Sequence, residues 1–291
     1  MKQNDIYYTD QWFVRELKFE ENNQNIDTVS NILTEKEPQD TFFILNYNNT
    51  FDVSIFIKYP KSDIAIKKTI LMLHGWGRPY DEWCNKTSFC EQALALGYIL
   101  VIPDLGKTNY ILSIYPTTDP KYVIYPTITW IMNNMISKLQ NDFDILIPGE
   151  NNFVAGVSTG ARGATLLAYY LPNIFRGAAS LSGDFDITKI NNDNLYVSYF
   201  GDYQTNKNRW KKECIAYNLK KYVVPTYIAH GKKDNTAEYQ QSNDMYNALK
   251  KNHPDILFSA YFNTEGGHDY SYWNSESAHI LEFFDFLVKV K

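Results

Sequence analysis

Gly156-Val157-Ser158-Thr159-Gly160 follows the apolar run Phe153-Val154-Ala155 and leads into Ala161, Ala164, Ala168 and Leu171, which recur at spacings of three and four before Pro172. A serine hydroxyl attacks a carbonyl only when a base takes its proton, so a nucleophilic serine must stand exposed at a sharp turn that a histidine can reach. An apolar strand, Gly-x-Ser-x-Gly and then a helix that stops ahead of a proline describe such a turn. Gly156 and Gly160 leave room around Ser158, and glycine is expected to accept the unusual dihedrals of the turn. Ser158 is the candidate nucleophile. The competing reading is an incidental Gly/Ser turn.

The matching acid and base are expected downstream, in that order, each just past a strand. Asp234 closes Pro225-Thr226-Tyr227-Ile228-Ala229-His230-Gly231-Lys232-Lys233-Asp234, a short apolar strand ending in a glycine-containing turn. Asn235 and Glu238 then have the spacing of a capping box that opens a helix. His268 sits in Glu265-Gly266-Gly267-His268-Asp269-Tyr270, after the strand-like Leu257-Phe258-Ser259-Ala260-Tyr261-Phe262. Taken singly, Asp234 reads equally as a helix-start residue and His268 as a turn histidine. Together they fall in the expected order.

Of the five histidines, the other four fit the base role less well. His74 ends the strand Ile70-Leu71-Met72-Leu73 and precedes Gly75, a place suited to shaping a loop. His230 ends a strand as a packed, hydrogen-bonded residue, and His253 and His279 occupy ordinary surface or helix positions. None of them pairs at metal-ligand spacing and no cysteine cluster accompanies them, so neither a metal nor a cofactor is expected. The oxyanion formed on an attacked carbonyl needs hydrogen-bond donors. Leu73-His74-Gly75-Trp76-Gly77 offers the backbone N–H of Trp76, and the start of the helix after the serine offers that of Thr159. Otherwise the first segment is only a glycine-rich loop.

These stretches resemble the α/β-hydrolase superfamily, and more narrowly esterase D-like and feruloyl esterase-like enzymes. The resemblance rests on Gly156 to Gly160, Tyr170 to Gly183, Gly201-Asp202-Tyr203 with Arg209-Trp210, His230 to Asp234, and Gly266 to Trp273, within roughly residues 68 to 290. It implies an eight-stranded, mostly parallel sheet flanked by helices, and ester hydrolysis through an acyl-enzyme. One departure stands out: Thr159-Gly160-Ala161-Arg162-Gly163 replaces the Met-Gly-Gly frequent after the serine in these enzymes, which puts the charged Arg162 near the site.

The elements that would position these residues alternate as β, α, β, the rhythm of a parallel sheet. Strands are expected near 69–73, 98–102, 152–157, 177–181, 225–230 and 257–262. Residues 41–45 and 53–57, separated by Asn48-Asn49-Thr50, read as an antiparallel pair that begins the sheet. Ile280, Phe283, Phe284 and Leu287 mark a closing helix. Residues 1–40 read as an N-terminal arm packed through Trp12 and Phe13. Residues 105–127 and 184–222 break the rhythm as possible cap or cleft insertions, with Tyr110, Tyr115, Tyr122, Tyr125, Tyr196, Tyr199, Phe200 and Tyr203 either lining a cleft or packing beneath long loops. The whole, residues 1–291, reads as one α/β-hydrolase domain.

A chain of 291 residues, 44% hydrophobic, is long enough for one large core, and its net charge of -5 argues against a nucleic-acid partner. No apolar run approaches the ~20 residues needed to span a bilayer. The start, Met1 to Ile6, lacks a signal-peptide segment, which favours the cytoplasm unless a leader was removed to leave a secreted or periplasmic protein. Cys84, Cys90 and Cys214 read most simply as free thiols, with closure of a loop by Cys84 and Cys90 left open.

The expected activity is that of a serine carboxylesterase on a small-molecule ester, with Ser158, Asp234 and His268 as the catalytic set. Tyr270 and Trp273 would add aromatic surface to the cleft, favouring short acyl or arylacyl esters over long-chain lipids. A peptidase or an acyltransferase would use the same machinery, and a non-catalytic binding protein could share the fold. Oligomeric state is not legible in the sequence.

Overall fold

The structure is a computed structural model and describes residues 39–61, 67–122 and 125–290. The arm expected from residues 1–40, with Trp12 and Phe13, lies outside the described residues except for its last two. Runs rich in β-branched and aromatic residues form the strands β1 (Thr41–Tyr47), β2 (Phe51–Lys58), β3 (Lys68–Leu73), β4 (Tyr98–Pro103), β5 (Asn151–Val157), β6 (Phe175–Leu181), β7 (Thr226–Gly231) and β8 (Phe258–Asn263). They make one eight-stranded sheet in the order β1-β2-β4-β3-β5-β6-β7-β8. β1 pairs with β2, and β2 with β4, in antiparallel fashion, and the remaining pairs are parallel. Asn48 and Asn49 turn the first hairpin at φ 49° and 58°, the left-handed conformation that this tight three-residue connection requires and asparagine tolerates.

Strand alternation sorts the core into two layers. Leu71, Leu73, Val154, Ala178 and Ile228 point to one face, beneath α3 (Thr127–Trp130), α4 (Ile136–Phe143), α5 (Thr159–Tyr170) and α8 (Tyr239–Asn252). Ile70, Met72, Phe153, Ala155, Val157, Ala179 and Leu181 point to the other, beneath α1 (Glu82–Lys86), α2 (Phe89–Ala95), α9 (Tyr270–Ser275) and α10 (Ser277–Lys289). A parallel strand covered on both sides is apolar along its whole length, which is why β5 and β7 read as continuous runs. The expected stripe Ile280, Phe283, Phe284 and Leu287 is the buried face of α10. This is the α/β-hydrolase arrangement, with the C-terminal ends of β5, β6, β7 and β8 opening onto one edge of the sheet.

The two segments that break the rhythm pack on each other over that edge. α6 (Asn194–Phe200) and α7 (Tyr203–Lys212) join Ile111 in a separate apolar cluster of Tyr196, Tyr199, Phe200, Trp210 and Cys214. Tyr110, Tyr196 and Phe200 are therefore packing residues, buried at 3% exposure or less, and Tyr199, equally buried, also walls a cavity with Tyr122 and Tyr125.

The free-thiol reading holds for Cys214, which is buried and unpaired, but not for the other two cysteines. Cys84 on α1 and Cys90 on α2 form a disulfide. The short Thr87-Ser88 turn between the two helices brings their Cα atoms to 5.1 Å, within bonding reach.

Candidate active site

β5 ends at Val157 and α5 begins at Thr159, so Ser158 alone makes the strand-to-helix turn, at φ 57° and ψ -126°. Its N–H donates to Leu181 O at 2.8 Å and its carbonyl accepts from Ala161 N at 2.9 Å, so neighbouring backbone holds a conformation costly for a residue with a Cβ. The unusual dihedrals thus fall on Ser158, not on Gly156 or Gly160 as expected; neither glycine has a left-handed φ. The glycines are needed for space. A Cβ on Gly156 would lie 2.0 Å from Gly160 O, and one on Gly160 2.2 Å from Leu73 O.

Asp234 and His268 meet this serine. Ser158 Oγ lies 2.9 Å from His268 Nε2, and His268 Nδ1 lies 2.6 Å from Asp234 Oδ2. The loops after β7 and β8 touch through their backbones: a Cβ on Gly231 would fall 2.2 Å from Gly266 O, and Lys233 N donates to that carbonyl at 2.9 Å. His268 immediately precedes Asp269, which caps α9 by accepting from Tyr272 N at 2.9 Å. The expected capping box at Asn235 and Glu238 does not form. α8 starts at Tyr239, and Asp234 Oδ1 itself takes the amides of Thr236 and Ala237, each at 2.8 Å.

Burial by itself would raise the Asp234 carboxyl. Hydrogen bonds from His230, His268 and the Ala237 amide outweigh it and hold the group well below the usual carboxylate range. It therefore stays ionised, opposite an imidazole that is at most lightly exposed. Asp184, in the loop after β6, shows the opposite outcome: burial raises its carboxyl despite a 2.9 Å hydrogen bond from Tyr196 OH.

His74 is buried, with Nδ1 2.7 Å from Gly75 O and Nε2 accepting from Leu105 N at 3.0 Å. Desolvation lowers its pKa, so it is a neutral loop-former, as expected of it. The loop it shapes lies on the serine: a Cβ on Gly75 would be 3.2 Å from Ser158 Cβ. Trp76 follows, its Nε1 donating to Tyr199 OH at 3.1 Å and its ring 6.0 Å from that of Tyr122. Thr159 is buried at the first turn of α5, where backbone N–H groups have no partner within the helix. Beside Trp76 is a cavity of about 130 Å³ walled by Phe51, Lys107, Tyr122, Tyr125 and Tyr199. A second, of about 250 Å³, is lined by Arg78, Lys86, His268, Asp269, Tyr270 and Trp273.

Tertiary contacts give three of the expected residues other surroundings. Trp273 lines the cleft beside His268 with only the 4% of its surface that stays exposed. It stands edge-on to His268 at 5.2 Å and donates Nε1 to Ser182 Oγ at 3.0 Å, bracing the imidazole. Tyr270 does reach the cleft, but its OH is taken by Glu82 at 3.2 Å. Arg162 does not charge the site: at 1% exposure its guanidinium donates to the carbonyls of Asn109, Tyr110 and Glu213, with the Glu213 carboxylate 3.8 Å away. Glu213 accepts in turn from Leu112 N, Ser113 N and Tyr115 OH, clasping both irregular segments to α5. Sequence reading also missed that His230 shares Asp234 with His268. The available signal was a histidine ending an apolar strand and a serine, Ser242, in register with the buried Met245 and Leu249 of α8.

The model of the prolyl oligopeptidase family matches residues 134–291. An acetyl esterase of Caldicellulosiruptor saccharolyticus is 27% identical over 231 residues, covering 74% of this chain and 82% of that protein. Among solved structures, an S-formylglutathione hydrolase from Agrobacterium tumefaciens superposes with a TM-score of 0.70 at 16% identity, covering 85% of this chain and 95% of the other. Est1E from Butyrivibrio proteoclasticus does so at 0.65 and 14% identity, covering 86% and 99%. At such identities these two likenesses speak for the fold.

Proposed function

Since the chain belongs to the prolyl oligopeptidase family and is an α/β-hydrolase enzyme, a serine carboxylesterase, we propose that Ser158, His268 and Asp234 are its catalytic residues. The observation that carries this is the continuous relay of 2.9 Å and 2.6 Å from a strained serine through one imidazole to an ionised carboxylate.

Ser158 Oγ attacks the ester carbonyl as its proton passes to His268 Nε2, and Asp234 stabilises the imidazolium through Nδ1–H. The backbone amides of Trp76 and Thr159 receive the oxyanion. Collapse of the tetrahedral intermediate breaks the bond to the alcohol, which leaves with the proton from Nε2. Water then attacks the acyl-enzyme by the same steps and releases the acid.

The substrate reading is a short acyl or arylacyl ester. Its supports are the acetyl esterase relative and a cleft beside His268 walled by Arg78, Lys86 and Tyr270, with little aliphatic surface for a long chain. The described strands and helices act as one catalytic domain, with residues 105–127 and 184–222 as its cap. The Cys84–Cys90 bond supports a secreted or periplasmic location over the cytoplasm, since disulfides persist in oxidising compartments. Among the described residues no helix is long and apolar enough to cross a membrane.

The test is kcat/KM for acetyl, feruloyl and decanoyl esters together with fluorophosphonate labelling. Ser158→Ala should lose about 10³-fold or more of its turnover, and all labelling, while folding normally. Full turnover by the pure variant would reject Ser158, and a decanoyl preference would reject the substrate class.

A further inference from the structure

Asp234 Oδ2, the atom that receives His268 Nδ1, has a second imidazole on it. His230 Nε2 lies 3.1 Å from this oxygen and 3.0 Å from Ala237 O. Both neighbours are acceptors, so Nε2 carries the proton. His230 Nδ1 then offers a lone pair, and Ser242 Oγ is 2.7 Å away as its donor. The tautomer is thus set from α8, by a serine that is fully buried in the apolar stripe it shares with Met245 and Leu249. With Thr236 N and Ala237 N on Oδ1, the carboxylate accepts four hydrogen bonds, one of them from the reacting side.

We propose that His230 is a positioning residue for the acid: backed by Ser242, its Nε2–H fixes the orientation of Asp234 Oδ2 and draws on its charge, so that His268 is held in line with Ser158. This rests on the reading of Asp234 as the partner of His268. The geometry favours the role over simple filling of the core. A histidine kept only for packing would not need Nε2 aimed at the one oxygen that His268 uses, nor a donor on α8 that excludes the other tautomer. Among the described residues, the titratable groups that face this pair from other elements include Asp184 from the loop after β6 and Tyr272 from α9, besides His268. Neither Asp184 nor Tyr272 hydrogen-bonds to the Asp234 carboxylate or the His230 ring among the described residues, so His230 is the group whose removal changes that carboxylate directly.

Asparagine and glutamine separate these readings, because a glutamine amide can take the place of imidazole Nε2 while an asparagine amide reaches only the place of Nδ1. In the full-length protein, His230→Asn should lower kcat for an aryl acetate about 10- to 100-fold, the scale of a small misplacement of a catalytic group, with KM within about 2-fold. The acid limb of its pH profile should move up by roughly half a pH unit, because His268 then faces a carboxylate whose charge is less spent on other donors. His230→Gln should recover most of kcat and return the limb to its wild-type position. Ser242→Ala, which removes only the tautomer lock, should shift the limb in the same direction by less, and supplies the answer if His230→Asn does not fold. Wild-type kcat and pH profile in folded His230→Asn and Ser242→Ala would overturn the proposal. So would equal losses in His230→Asn and His230→Gln with the limb unmoved, which is the mark of a packing role. Asp234→Asn, assayed alongside, separates the two levels: if it is active the catalytic assignment fails, and if it is inactive while the His230 variants are normal only this inference does.

Discussion

Replacing Arg162 with methionine tests whether the buried clasp, and not a charge in the cleft, is what the arginine contributes. Arg162→Met keeps much of the aliphatic stem but removes the guanidinium from three backbone carbonyls and leaves the Glu213 carboxylate, itself fully buried, without its counter-charge. Removing one partner of such a pair costs about 3–5 kcal/mol, because the remaining charge is neither solvated nor paired. At ~2–4 °C per kcal/mol for a chain of this size, the expected fall in Tm is roughly 6–20 °C. The direction with pH is also fixed. Burial raises the Glu213 carboxyl, and Arg162 is the first of the groups that pull it back down. Without Arg162 its folded-state pKa rises further above the unfolded value, so the variant loses stability as pH rises through that range, and the gap from wild type widens between pH 5 and pH 8. Thermal unfolding at both pH values, with aryl acetate turnover at a temperature where the variant is folded, makes the check. A fall in Tm below about 2 °C, or selective loss of turnover on anionic esters without loss of stability, would refute the clasp and restore Arg162 to the cleft.

Three further outcomes are expected. Trp273→Ala should lower kcat for acetyl and feruloyl esters by the same factor, since what it chiefly removes is the edge contact on His268 and the hydrogen bond to Ser182; a change confined to the feruloyl ester would contradict this. Glu276 is buried, with Oε1 unpartnered among the described residues and Oε2 accepting from Tyr227 OH at 2.6 Å, and burial raises its carboxyl. Stability is therefore lost as pH rises through that raised value, and Glu276→Gln should gain in Tm relative to wild type from pH 5 to pH 8, a gain that calorimetry can show to be absent. Reducing the Cys84–Cys90 bond removes a constraint on a loop with a sequence separation of 6; the loss should be on the order of 2 kcal/mol, and alkylation before and after denaturation should find only Cys214 free without reductant.

Local patterns determined much of this protein. Gly-x-Ser-x-Gly between a strand and a helix located Ser158, because a turn that tight leaves few sequences able to make it. The order of a candidate acid and base past later strands pointed to Asp234 and His268, which the fold brings together at Ser158, and apolar periodicity located the sheet and the stripe of α10. What tertiary structure decided was contact between segments far apart in the chain. The strained Ser158 is held in part by Leu181 O on the neighbouring strand β6, and Gly160 must lack a Cβ because Leu73 O of β3 lies against it, contacts that no local window contains. Arg162 turns inward because carbonyls of residues 109, 110 and 213 converge on it, and only the folded cap brings them there. Trp273 became a brace when Ser182 appeared beside it. His230 likewise looked like an ordinary packed residue until β7, α8 and the loop after β8 met around one carboxylate oxygen. Periodicity reports which side of an element is buried, whereas the partner of a buried polar group is set by whichever distant segment the fold delivers to it.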